Sequence, residues 1–270
     1  MKEILERLLA GEFTVDEALR ALDAEHVEVA GDLARLDPGR LRRKGVPEVI
    51  YAPGKTPAVT ADLAARMVAA SGQALVSRVD AEAALALETL ATKNGWGITA
   101  FGSSRRLVAA ASIGPEGPGG VGILAAGTSD VDVAEEARMV IEAMGVPSHH
   151  AYDVGVSALH RLEAPLRQMV SAGVDVFVVA AGMEAALPTL VAGLVAVPVI
   201  ALPVSTGYGA GGRGLAALLS SLQTCSPGMT VVNIDNGIGA GAAAGLIAGR
   251  VAAARSGSAP AVAPPASRRS

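Results

Sequence analysis

"VDVFVVAAGMEAALPTLVAG", residues 174–193, decides the fold class. From Val174 to Ala181 the run is apolar except at Asp175, too continuous for a strand with one wet face, and a glycine then leads into a helical stretch. Strands buried on both faces read this way. Similar runs stand at 121 (VGILAAG), 197 (VPVIALPV) and 229 (MTVVNID), and helical stretches are predicted at 131–144, 160–171, 186–195, 213–222 and 238–254. Strict alternation of strand and helix implies an α/β fold with a doubly wound parallel sheet. In such a sheet a ligand sits beyond the carboxyl ends of the strands, so the functional residues are expected in the loops that leave them.

The totals narrow the function. The chain has 270 residues, 51% hydrophobic and 18% charged, with a formal charge of −4 and 3% aromatics. Neither the basic field nor the stacking platforms of a nucleic-acid binder are present. No window reaches the roughly 18 uninterrupted apolar residues of a membrane span, and MKEILERLLA lacks the layout of a signal peptide. A cytoplasmic, small-molecule protein is expected, with no nucleic-acid or membrane partner. The lone cysteine, Cys225, forms no internal disulfide and excludes a Cys-based zinc cluster.

The first half has a different rhythm and is expected to form a smaller α+β domain over 1–115. Thr14 and Glu17 make a capping box, and Asp37-Pro38 and Thr56-Pro57 repeat a cap-then-proline start, so helices should begin near 15, 38 and 57. Strands are predicted at Val49–Tyr51, 74–79 and 96–101, with Asp80 capping a helix between the last two. IGPEGPGG, 113–120, reads as a linker, assigned to 116–120. The second domain then spans 121–254, and residues 255–270, small and Pro-rich, are expected to be disordered.

Four loops follow the four clear strands: Gly127–Asp130, Gly182–Glu184, Ser205–Gly209 and Asp235–Gly237, each with glycine and oxygen-bearing side chains. Helix-start amides bind anions, so a phosphorylated ligand fits. Thr128, Ser129 and Asp130 serve either as helix caps or as ligand contacts. Asp130 would repel phosphate and therefore accepts from ribose hydroxyls or organises its loop. Glu184, just before Leu187-Pro188 and among apolar neighbours, is costly there unless used, which makes it a candidate acid/base. Gly182, Met183, Ser205, Thr206, Gly207, Tyr208, Asn233, Asp235, Asn236 and Gly237 complete the candidate binding loops. Asp153, His160 and Arg161, in DVGVSALHRLEAP, stand at or before a helix start; His149-His150, near a strand start, read as surface residues. Cys225 lies in a turn ahead of the last strand, either a small hydrophobe or a reachable nucleophile.

Taken together these loops resemble the PurE carboxylase family: GTSDVDVAEEA, VSALHR, AGMEAALPTLVAG and GLAALLSSLQ match its motifs in order over about 121–250. Where that family has histidine before Leu-Pro, this chain has Ala186, and it adds Glu184 and Cys225. Across both halves, GVPEVIYAPGKT, AGMEAALP, STGYGA and CSPGMTVVNIDNG are similar to the LarB family, PurE-like proteins that begin synthesis of the nickel-pincer cofactor of lactate racemase.

That resemblance implies a PurE/flavodoxin-like catalytic domain. It further implies carboxylation of the pyridinium ring of nicotinic acid adenine dinucleotide by CO2 or bicarbonate, with phosphoanhydride hydrolysis, giving pyridinium-3,5-biscarboxylic acid mononucleotide and AMP. Cys225 is then the nucleophile that reverses the ring's polarity, Glu184 the base or water activator, and His160 and Arg161 pocket residues. Lys55 and Glu48 of the first half would close over the site. No tightly bound cofactor or protein metal site is expected, though magnesium would neutralise the pyrophosphate. A homo-oligomer is implied, an octamer by the PurE likeness. Two other readings stay open: a PurE-type aminoimidazole ribonucleotide mutase, and a nucleotide-binding protein without catalysis.

Overall fold

The structure, a computed structural model, describes residues 2–25, 28–30, 34–111 and 119–257. In chain order its elements are α1 (Lys2–Leu9), α2 (Val15–Glu25), β1 (Glu28–Ala30), β2 (Ala34–Leu36), α3 (Arg40–Lys44), β3 (Val49–Tyr51), α4 (Pro57–Ser71), β4 (Gln73–Ser77), α5 (Ala81–Asn94), β5 (Gly97–Phe101) and β6 (Arg105–Ala109). There follow β7 (Val121–Ala125), α6 (Val131–Ala143), β8 (Ser148–Ala151), α7 (His160–Ser171), β9 (Val176–Ala181), α8 (Ala186–Ala192), β10 (Val199–Pro203), α9 (Leu215–Leu222), β11 (Met229–Val231) and α10 (Gly237–Arg255).

The second half builds a five-stranded parallel sheet in the order β11-β10-β9-β7-β8. Val121 pairs with Val176, and Phe177 with Val199, so the most apolar strands lie side by side. Every residue of β7, β9 and β10 is buried, as the continuous apolar runs require. This is the flavodoxin-like order, and the strand order reverses between β7 and β9. β8, SHHA, forms the partly exposed edge strand beyond β7. It holds His149 and His150 but carries no apolar run, which is why only four of the five strands are plain in the sequence.

The first half forms a mixed sheet, β3-β4-β6-β5, in which only the β3–β4 pair is parallel, and a short β1–β2 hairpin stands apart. Local chemistry starts its helices. The Thr14 hydroxyl accepts from the Glu17 N–H at 3.3 Å, while the Glu17 carboxylate accepts from the Thr14 N–H at 2.8 Å. Thr56 and Asp80 cap α4 and α5 through the N–H groups of Val59 and Ala83. Asp37 does otherwise. Its carboxylate is engaged by Arg40 and Arg43, and α3 starts only at Arg40, with Gly39 at the cap and no side-chain bond.

Two predicted helices are shorter than expected. α9 begins at Leu215 because Arg213 (φ 60°) and Gly214 (φ 78°) hold a left-handed turn, and α8 ends at Ala192. Residues 112–118, most of the expected linker, and 258–270, most of the expected tail, lie outside the described residues. The two remaining linker residues are packed. Gly120 donates to Asp175 Oδ2 at 2.9 Å. Arg255, assigned to the tail, is the last residue of α10 and pairs with Asp175 at 2.6 Å.

The two sheets share a helical layer. α4 and α5 cover one face of the mixed sheet through Leu63, Met67 and Leu87. Its other face, with Leu75, Phe101 and Leu107, packs on Met139, Val140 and Ala143 of α6. The opposite side of α6, with Ala134, Ala137 and Ile141, joins α10 against the parallel sheet. Helices α7, α8 and α9 close the far side. By length and composition α10 would span a membrane. In the fold its glycines and alanines lie on α6 instead, and a Cβ on Gly241 would stand 2.5 Å from the Ala137 carbonyl oxygen.

The junction between α6 and the mixed sheet is also ionic. Glu136, 1% exposed, accepts from the Ser77 hydroxyl and lies 3.6 Å from Arg105 and 3.7 Å from Arg78. Asp132 pairs with Arg105 at 2.5 Å and accepts from the Ser103 N–H at 2.9 Å. Glu135 accepts from Arg138, the Tyr152 hydroxyl and the Gly102 N–H.

Candidate active site

At the reversal of strand order, the carboxyl ends of β7, β8, β9 and β10 open on a cleft of about 580 Å³. It is lined by Ser129 and Asp130 after β7, by Gly182, Met183 and Glu184 after β9, and by Thr206, Gly207 and Tyr208 after β10. These expected residues therefore come together. The loop after β8 adds Gly155, Val156 and Ser157, which were not among the expected site residues. The signal was at hand, since Val156 and Ser157 open the VSALHR motif, but without a clear strand before it only Asp153, His160 and Arg161 were taken from that stretch.

Asp130 organises this wall. It is 5% exposed, its Oδ2 accepts from the Gly127 N–H at 2.9 Å, and its Oδ1 accepts from the Thr206 hydroxyl at 2.6 Å. Of the two roles open to it, loop organisation is the one its contacts express. Gly182 permits the close approach, because a Cβ there would meet the carbonyl and hydroxyl oxygens of Thr206 at 2.4 Å. The Met183 N–H donates to that same carbonyl at 3.2 Å. Met183 (φ 49°) and Ala185 (φ 47°) flank Glu184 in the left-handed region, a local cost of the kind found at functional loops.

Glu184 differs from expectation in one respect. It is exposed at the cleft, and of its apolar neighbours in sequence Ala185 and Leu187 turn inward, at 2% and 1% exposed, while Met183 stays out at 44%. What favours a role for Glu184 is its position in the lining, not burial.

The remaining expected residues lie elsewhere. Thr128 is in the single turn before α6 and does not line the cleft. Asp153 (φ 59°) pairs with Arg161, and His160 is the exposed first residue of α7. Asp235 Oδ1 accepts from the Ser205 N–H at 2.8 Å, and Asn236 caps α10 through the Gly239 N–H. Asn233 turns its side-chain oxygen to the Ile234 N–H, and Gly237 opens α10. Lys55 donates to the Tyr51 carbonyl at 2.6 Å. Glu48 accepts from the Asp37 N–H and lines a separate cavity of about 370 Å³ in the first half. Neither lines the cleft.

Cys225 is exposed in the turn between α9 and β11 and is not in the cleft lining. Its turn enters β11 at the amino edge of the parallel sheet, opposite the carboxyl edge that carries the cleft loops. Its turn is bound to the helix that follows Glu184: the Thr224 and Thr189 hydroxyls are 3.1 Å apart, and the Ser226 hydroxyl donates to the Thr189 carbonyl at 3.1 Å. Among the described residues no group of three or more His, Cys, Asp or Glu is placed to hold a metal ion.

Comparison with known proteins agrees with this geometry. The AIR carboxylase family matches residues 120–261, and a LarB/PurE-like N-terminal domain matches 27–100. An uncharacterised protein of Methanocaldococcus jannaschii is 37% identical over 254 residues, 92% of this chain and 96% of that protein. N5-carboxyaminoimidazole ribonucleotide mutases are similar over the second half: that of M. jannaschii is 38% identical over 43% of this chain and 69% of its own length, and that of Pyrococcus horikoshii 34% identical over 43% and 64%. The likeness supports an enzyme of the carboxylase or mutase type on a PurE-like sheet. With more than half of its length matched, the chain belongs to the AIR carboxylase family.

Proposed function

We propose that the protein is of the LarB type, an enzyme that carboxylates the pyridinium ring of nicotinic acid adenine dinucleotide and hydrolyses its phosphoanhydride. The products are pyridinium-3,5-biscarboxylic acid mononucleotide and AMP, the first step of nickel-pincer cofactor synthesis. The observation that carries this reading is the pairing, in one chain, of a LarB/PurE-like N-terminal domain with an AIR carboxylase domain whose cleft presents Glu184. Ala186 stands where the carboxylases and mutases of the PurE type have histidine, which weighs against imidazole chemistry.

A pyridinium ring is electron-poor and cannot attack carbon dioxide, itself an electrophile. The Cys225 thiolate adds at the ring carbon para to nitrogen, and the ring electrons move toward nitrogen to give a dihydropyridine. The unsubstituted carbon beside the adduct is then an enamine terminus and attacks carbon dioxide. Loss of its proton to a base and departure of the thiolate restore the aromatic cation. Glu184 takes that proton or activates the water that cleaves the phosphoanhydride. The cleft loops hold ribose and phosphates, and a divalent ion such as magnesium, held by the substrate's own phosphates, would neutralise the pyrophosphate. A homo-oligomer is proposed as well, packed through the exposed Leu215, Leu219 and Leu222 of α9, the helix that leads into the Cys225 turn, so that the thiol of one subunit meets the cleft of another.

The test is incubation of the full chain with nicotinic acid adenine dinucleotide and bicarbonate, followed by mass spectrometry, with and without Cys225→Ala. A mononucleotide heavier by one carboxyl group, together with AMP, should form only when the thiol is present. Turnover of carboxylated aminoimidazole ribonucleotide in its place would move the protein to the mutases. Binding of the dinucleotide without any product would leave a nucleotide-binding protein.

A further inference from the structure

We infer that Arg78, at the end of β4 in the amino-terminal sheet, is a positioning residue for the cleft. Its Nη2 donates to the Asp235 carbonyl at 2.9 Å, crossing from the end of the mixed sheet to the loop after β11. Its Nε stands 3.7 Å from the buried Glu136 carboxylate, and its guanidinium lies 5.5 Å over the Tyr51 ring, so the side chain is held from two further sides. Both ends of the Arg78–Asp235 bond are non-glycine residues in the left-handed region, at φ 58° and 55°, a conformation that surrounding contacts must maintain.

From Asp235 the contacts run without a break to the cleft wall. Asp235 donates its N–H to the Pro203 carbonyl at 2.9 Å and accepts the Ser205 N–H on Oδ1 at 2.8 Å. This fixes the segment between β10 and Thr206. Thr206 then donates to Asp130 at 2.6 Å and accepts the Met183 N–H, which sets the backbone immediately before Glu184. Arg78 touches none of the cleft lining itself. It holds Asp235, and Asp235 holds the loop that does. The amino-terminal domain, which the mutase-like part of the chain does not include, thereby sets the registry of loops on the other sheet.

The substrate arm of the test rests on the function proposed above; the other arm does not. Hydrogen exchange on the ligand-free full chain should show the Ser205 amide losing about tenfold of its protection in Arg78→Met, equivalent to one hydrogen bond. The amides of Phe177 and Val178 in β9 should keep theirs, and Arg78→Lys, which can still donate to Asp235, should recover Ser205. With nicotinic acid adenine dinucleotide, Arg78→Met should raise KM by a similar factor while kcat changes little. Unchanged protection at Ser205 would overturn the inference. Equal loss in β9 would also overturn it, making Arg78 a residue of general stability. A wild-type protein that leaves the dinucleotide intact would sink the proposed function and leave the exchange result to decide the role of Arg78.

Discussion

The two sheets of this molecule face the same helix in different ways. The parallel sheet meets α6 through alanine, valine and isoleucine, a contact that loses nothing to desolvation. The mixed sheet meets it through an apolar patch bordered by Ser77, which donates to Glu136, and by Arg78 and Arg105, which neutralise Glu136 and Asp132. A buried carboxylate is tolerable only where its partners are in place. The parallel sheet thus has a core that many apolar side chains could fill, whereas the joint between the halves depends on particular charges. The residues that join the halves also reach the cleft.

The sharpest test of that contrast sets Phe177→Ala against Glu136→Ala. Phe177→Ala should cost about 3–5 kcal/mol by a cavity, and Glu136→Ala about 1–3 kcal/mol, because Arg105 keeps Asp132 but the buried Ser77 hydroxyl loses its acceptor. Their unfolding should differ in form. Phe177→Ala should lower the urea midpoint of the whole transition, whereas Glu136→Ala should let the mixed sheet unfold ahead of the parallel one. One unchanged cooperative transition for both would mean that the apolar patch alone holds the joint.

Acid should act on the same side of the molecule. Burial pushes Asp132 upward, but the Ser103 N–H and hydroxyl, the Ser104 hydroxyl and the Arg105 charge outweigh it and hold its carboxyl below the ordinary 3.8. Burial raises Glu135 as well, and its bonds to Arg138 and Tyr152 hold it below the ordinary 4.5. Depressed carboxyls bind fewer protons in the folded state than in the unfolded one. Their contribution is full above the ordinary values and is lost as pH falls through the lowered ones. Urea midpoints should therefore drop below about pH 4.5, and Asp132→Asn should flatten part of that drop. The smallest effect is local: Thr56→Ala removes the α4 cap and should cost about 1 kcal/mol by thermal unfolding, without separating the sheets.

How far the sequence could be read depended on where water is. β7, β9 and β10 are buried on both faces and wrote their positions as apolar runs. β8 at the sheet edge did not, and the loop it delivers, Gly155 to Ser157, went uncounted. β6, RRLVA, was hidden for a related reason: its first two residues are arginines, one of them buried only because carboxylates of α6 wait opposite. The expected site was legible loop by loop. Glu184 was placed in the right loop, although a run of apolar neighbours in sequence did not translate into a buried carboxylate.

The sequence by itself determined most of the helices and the buried parallel strands, since capping at Thr14, Thr56 and Asp80 and the apolar runs depend on residues close together along the chain. It also marked the carboxyl-edge loops as the place for ligand. Only the tertiary structure decided which face of α6 meets water. Glu135 and Glu136 are 5% and 1% exposed because the Ser77 hydroxyl and Arg105 close over Glu136 from β4 and β6, and the Gly102 N–H, Arg138 and Tyr152 over Glu135. Tertiary structure likewise joined Arg78 to Asp235 and set Cys225 apart from the cleft. Pairing across such distances depends on how two sheets pack on one helix, and no local pattern of residues encodes it.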